Sequence, residues 1–201
     1  MAQINWAKES HEKAWVLYLE ERYPEAEKVL RENILRFPDY APSHLLLGQI
    51  HFFSQEPDFV AALIQFSEVV RISPSSGEGH HWLGLACERV GQIDDAIASY
   101  REAIRIAPED SRPHVALGNC FVRKGWHSEA IKMLRRGLEL MPDCTEADVR
   151  VFLADALLKN GQIKAACTEW RRVIAIEECY PSYGAPQEEA KRKLAEHCGK
   201  V

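Results

Sequence analysis

Three histidines, His44, His80 and His114, fall at equivalent places in successive segments, with Cys87 and Cys120 a few residues beyond two of them. Imidazole and thiolate are common zinc ligands, so this is the first chemistry to test. Neighbouring segments bring too few of these ligands together to close a four-coordinate site, and core histidines are the expectation. "GEGHHW" at 77–82 opens like a dinucleotide-binding loop, but Trp82 stands where the third glycine is needed and no strand pattern precedes it. The sequence carries no GxSxG, no P-loop and no HExxH. Asp94 and Asp95 sit at a helix start and read as caps, with Asp94 opening the helix. These residues predict no enzyme, no metal site and no cofactor.

Six cysteines occur, Cys87, Cys120, Cys144, Cys167, Cys179 and Cys198, with no CxxC pair. In a chain this rich in aliphatic residues they read as small buried thiols in a reducing compartment. A net charge of −5 and the lack of a strongly basic face argue against nucleic acid. The opening "MAQINWAKESHEK" has no apolar stretch of a secretory signal, and no run of eighteen apolar residues is present. A soluble cytoplasmic protein that does not enter a membrane is expected.

The elements that position these residues repeat. Pro74, Pro108 and Pro142 recur every 34 residues, as do Ala62, Ala96 and Ala130. Leu83-Gly84 returns as Leu117-Gly118, and earlier as Leu47-Gly48 with two extra residues between copies. Within "DDAIASYREAIRI" the apolar positions make one helical face, and "GHHWLGLACERV" makes a second. Gly91 is placed for a left-handed turn between them, and Pro108 stops the second helix. Gly48, Gly84, Gly118 and Ala154, with Ala62, Ala96, Ala130 and Ala166, mark close helix contacts. Each period is therefore a helix, a turn, a helix and a turn.

These motifs resemble the tetratricopeptide repeat (TPR) family. Copies run at about 7–40, 41–76, 77–110, 111–144 and 147–178. The first is degenerate, with Lys13 where a leucine belongs. The fifth follows an insertion in "DCTEA" and has Glu178 in place of the proline. A segment at about 188–198, with Ala190, Leu194 and Cys198 on one face, reads as a capping helix. The expected fold is all-α, a single domain over residues 1–201, built as a right-handed superhelical solenoid of five TPR pairs and the cap.

The resemblance implies that the first helix of each pair lines a concave groove for a peptide or a partner's helix. On that basis the partner-binding positions are Trp15, Phe53, His81, Trp82, Arg89, Arg112, Val115, Asn119, Arg123, Phe152, Asp155 and Lys159. Trp15, Phe53, Trp82, Val115 and Phe152 would form an apolar patch. Arg89, Arg123 and Lys159, with Arg112 near, would form a basic row able to grip an acidic peptide. Cations near helix C-termini also serve the helix dipole without any ligand. The carboxylate clamp of chaperone-tail-binding TPRs is not expected, since its places hold Leu45, Gln49, Trp82, Arg112 and Ala116 and only Arg112 suits it. The expected function is a non-catalytic scaffold or adaptor for a protein or peptide. A structural or self-assembling subunit of a larger complex, forming a homo-oligomer through its apolar end faces or its degenerate first repeat, is the alternative.

Overall fold

The computed structural model describes residues 2–141, 146–179 and 184–198. Pro142, Cys144 and the insertion in "DCTEA" up to Thr145 lie outside these residues, and so do the side chains of Glu178 and Cys179. Among the described residues the chain is all helix: α1 (Ala2–Leu19), α2 (Tyr23–Arg36), α3 (Ala41–Phe53), α4 (Phe59–Ile72), α5 (Gly77–Arg89), α6 (Ile93–Ile106), α7 (Ser111–Lys124), α8 (His127–Leu140), α9 (Ala147–Lys159), α10 (Ile163–Cys179) and α11 (Gly184–Cys198). They form five helical hairpins and a final helix.

Glycine ends the first helix of the later hairpins. Gly91, Gly125 and Gly161 have φ of 87°, 77° and 77°. In each case the next amide reaches back to a carbonyl five residues earlier, Gln92 to Cys87 at 2.8 Å, Trp126 to Phe121 at 2.9 Å and Gln162 to Leu157 at 2.8 Å. The first hairpin makes the same turn without glycine. Glu21 takes φ of 58°, and Arg22 N–H donates to Leu17 at 2.9 Å. A Cβ in that conformation is strained. The start of α6 differs from expectation: the helix begins at Ile93, so Asp94 and Asp95 lie inside its first turn rather than at the cap. Their charges still favour the positive end of the helix. True side-chain caps are Asp58, Ser76 and Asp110, which accept from the amides of Ala61, Gly79 and Arg112.

The helices fall into two compact units, Met1–Ile106 and Ala107–Val201. In the first unit Leu30, Leu46, Leu47 and Ile50 fill the contact among α1, α2 and α3. A Cβ on Gly48 would lie 2.5 Å from Phe66, and one on Gly84 would lie 2.5 Å from Tyr100. Both rings are fully buried, so neither can swing aside. The second unit repeats the contact with Gly118 and Leu134 at 2.7 Å. Ala62, Ala96, Ala130 and Ala166 have no exposed surface.

The histidines hold the turns. A ring nitrogen of His44 lies 2.9 Å from the carbonyl of Pro38, and one of His80 lies 3.0 Å from that of Pro74. His114 meets the Asp110 carbonyl at 2.9 Å. The ring N–H groups of His44 and His80 therefore satisfy carbonyls that the helix ladders leave over, while His114 bonds the N-cap carbonyl of its own helix. Cys87 and Cys120 are buried free thiols, and burial pushes Cys87 up to about 11, helped by the nearby Asp95 carboxylate.

The second unit departs from expectation in its cysteines. Cys167 of α10 and Cys198 of α11 form a disulfide, so these two are not thiols. Both helices bring the residues to a Cα separation of 6.1 Å, within bridging range. Arg150 joins α9 to α10 by pairing with Glu146 and, at 2.7 Å, with Glu169; Arg172 also reaches Glu169 at 2.7 Å.

Two substitutions test these packing arguments. Gly84→Ala should lower unfolding free energy by about 1–3 kcal/mol through overpacking against Tyr100. Glu21→Gly should raise it by about 0.5–1 kcal/mol by relieving the left-handed strain. Urea denaturation midpoints of the two variants against wild type check both signs.

Candidate functional site

In the first unit, α3, α4 and α5 build an aromatic cluster. Trp82 stacks on Phe66 at 5.5 Å between centroids and meets Phe52 edge-on at 5.9 Å. Phe53 stands edge-on to Trp82 at 5.7 Å with 52% of its surface exposed. The Arg89 guanidinium lies 4.1 Å over the Phe59 ring and 5.6 Å from that of Phe52. The cluster thus has a buried floor of Phe66 and Phe52, a half-buried wall in Trp82, an open edge in Phe53 and a cationic rim. On α1, Trp15 is also exposed and stacks on Tyr18 at 5.5 Å.

His81 is not on the surface. It is 6% exposed, with its ring 5.9 Å from Tyr100 and 6.0 Å from Trp82. The tight α5–α6 contact at Gly84 draws this part of α5 onto Tyr100, which puts the imidazole in the core.

The second unit places its predicted residues unevenly. Phe152, Arg123 and Lys159 are exposed, and Asn119 is half-buried on α7. Val115 is half-buried too, and its methyl packs 2.6 Å from where a Cβ would stand on Gly137 of α8. Arg112 is bound locally, with its guanidinium 2.7 Å from the Asp110 carboxylate. Asp155 is held by Lys193 of α11. The expected basic row therefore has differing members: Arg89 sits on rings, Arg112 on a helix cap.

Sequence reasoning did not find Phe52 and Phe59 as the platform under Arg89, nor Lys193 as the partner of Asp155. The first had a signal, the density of phenylalanine in "HFFSQEPDF" at 51–59. The second had none, because a lysine on a polar helix looks the same whether solvated or paired.

An open cleft of about 720 Å³ between α1 and α2 is lined by charges of both signs, among them Lys13, Glu20, Arg22 and Glu25. Arg22 is tied to Glu25 and Glu20 at 2.5 and 2.9 Å. Such exposed pairs offer no convergent polar groups for chemistry. Among the described residues no group of His, Cys, Asp and Glu is arranged to hold a metal ion, and no helix is long and apolar enough to cross a membrane.

Stacked helical hairpins with a glycine–aromatic contact, presenting exposed aromatics on their first helices, define a helical-repeat binding protein. The chain belongs to the tetratricopeptide repeat family: family profiles described as tetratricopeptide repeat match residues 11–77 and 89–148. No curated protein sequence matches it. Among solved structures it is similar to MamA from Desulfovibrio magneticus RS-1, at 18% identity and TM-score 0.77 over 88% of this chain and 97% of that one. It is also similar to YrrB, described as a TPR protein with an unusual peptide-binding site, at 16% identity and TM-score 0.74 over 96% and 98%. PilF of Pseudomonas aeruginosa is a third, at 15% identity and TM-score 0.73 over 100% and 96%. These likenesses are of fold. A TPR protein is in general a scaffold for protein–protein interaction.

The geometry separates the two aromatics that the sequence treats alike. Trp82→Ala should cost about 2–4 kcal/mol, because it removes a ring stacked on the core. Phe53→Ala should cost less than about 1 kcal/mol, because half of its ring already faces water. Thermal melts of both variants check the difference.

Proposed function

We propose that the chain is a non-catalytic adaptor that binds an apolar, aromatic-bearing peptide or helix of a partner protein against the first helices of the N-terminal unit. The observation that carries this reading is the open edge of the aromatic cluster. Phe53 is more than half exposed beside Trp82, and Arg89 lies at the same end of the cluster. A large ring left in water next to other rings is costly for a soluble protein unless a partner covers it. Covering one such side chain contributes roughly 1.5–3 kcal/mol, so two or three anchors support micromolar affinity after association costs. Arg89 is pre-oriented by the Phe59 ring and would meet a carboxylate of the ligand at the rim. YrrB, a TPR protein with an unusual peptide-binding site, supports this use of the fold. In the second unit, Asn119, Arg123, Phe152 and Lys159 belong to the first helices and are read as further contacts of that unit.

A second reading, self-assembly, draws on α1, where Trp15, Val16 and Leu19 are all exposed. It predicts a concentration-dependent dimer in light scattering; a monomer at high concentration removes it.

The adaptor reading is tested by selecting peptides from a random displayed library on the full chain. Selected peptides should carry aromatic or large aliphatic residues, and should bind Phe53→Glu at least about tenfold more weakly than wild type. Equal binding to wild type and to a normally melting Phe53→Glu protein would contradict it.

A further inference from the structure

The final helix, α11, lies against α10 and also covers α9 on the side that bears Asp155. Its noncovalent seat combines a ring stack of His197 on Trp170 at 6.0 Å with buried polar groups that are left unpaired. Lys193 pairs with Asp155 and also stands 3.3 Å from Glu189, with its side chain 18% exposed. Gln187 is completely buried, and neither atom of its amide finds a partner among the described residues. The indole N–H of Trp170 and the second oxygen of Asp155 are likewise unsatisfied there. Native interiors ordinarily satisfy such groups, and each one left over weakens the contact relative to an apolar one. The covalent fastening is the opposite. Cys198, at the end of α11, is bridged to Cys167 of α10, closing a sequence separation of 31 residues.

We propose that α11 is a redox-latched cover: the Cys167–Cys198 bridge holds a weakly seated helix over the α9–α10 face, and its reduction lets the helix leave and uncovers Asp155. The reductant is a dithiol of the thioredoxin class or a pair of small thiols. One reductant thiolate attacks a bridge sulfur and gives a mixed disulfide and one cysteine thiolate. The second reductant thiol displaces the other cysteine, so two electrons and two protons pass to the protein and the reductant becomes a disulfide. Both bridging cysteines are buried, so the attack needs the end of α11 to fray, which is where helices open first. The bridge forms in an oxidising compartment and is cleaved in a reducing one, so the position of α11 reports redox poise. Only the consequence rests on the adaptor reading: α9 is the first helix of its hairpin, and its uncovered carboxylate would accept a basic side chain of a partner's helix.

The test is hydrogen exchange by mass spectrometry on the full chain, oxidised and after dithiothreitol, with the bridge mapped by non-reducing peptide analysis. Oxidised protein should contain the Cys167–Cys198 bridge. Reduction should speed exchange of α11 amides by about tenfold or more while α7 to α10 stay protected. Cys198→Ser, untreated, should match the reduced wild type; if it does not fold, the oxidised and reduced wild-type pair decides alone. Absence of the bridge in oxidised protein would overturn the proposal. So would unchanged α11 exchange after confirmed cleavage, or loss of protection through α9 and α10 as well, which would make the bridge a plain structural staple. None of these outcomes bears on peptide binding at Phe53.

Discussion

Phe66, Tyr100 and Leu134 each come within 3 Å of the place a Cβ would occupy on Gly48, Gly84 and Gly118, and that approach sets the spacing of the two helices in a hairpin. A bare backbone lets the facing side chain pack directly on the helix backbone, and the fully buried alanines at 62, 96 and 130 keep the second helix slim at the contact. With the spacing set, the remaining side chains have fixed destinations. Tyr100 brings its hydroxyl to the Glu88 carboxylate at 3.2 Å, and His81 is drawn under the hairpin against the same ring. Within the first unit, His44 and His80 hold the carbonyls of Pro38 and Pro74 in the turns that lead into α3 and α5.

The surface follows from this packing. Trp82 stands two residues before Gly84, and it leans on Phe66, the ring that fills the preceding hairpin. That leaves Phe53, at the last position of α3, meeting Trp82 and Phe52 only edge-on, with half its area in water. Exposure at Phe53 is therefore a consequence of a well-packed neighbour rather than of loose structure, which is the arrangement a binding edge needs. In the second unit the first helix α9 carries Asp155, and α11 lies over it through the Lys193 ion pair.

Much of this was legible in the residues. The 34-residue spacing of Ala62, Ala96 and Ala130 placed the hairpins, and Gly91 announced its left-handed turn. Helix starts were less legible: Asp94 looked like a cap, yet the chain enters α6 at Ile93, because a carboxylate serves almost equally well inside the first turn. The site was legible only as a set of places. Periodicity says that positions 81 and 82 lie on a first helix, but not that His81 turns inward while Trp82 stays at the rim, since that depends on which neighbouring ring is there to receive it. The Cys167–Cys198 bridge was not legible, because connectivity depends on how α11 folds back, and nothing in its own sequence states that.

The central claim is that the first-helix edge of the aromatic cluster receives the partner. The most direct measurement is amide protection across the full chain when a library-selected aromatic peptide is bound. The account predicts new protection at the C-terminal turn of α3 and along α5, around Phe53, Trp82 and Arg89, with α2 and α6 unchanged. Protection confined to the second helices, or spread evenly with none at Phe53, would contradict it.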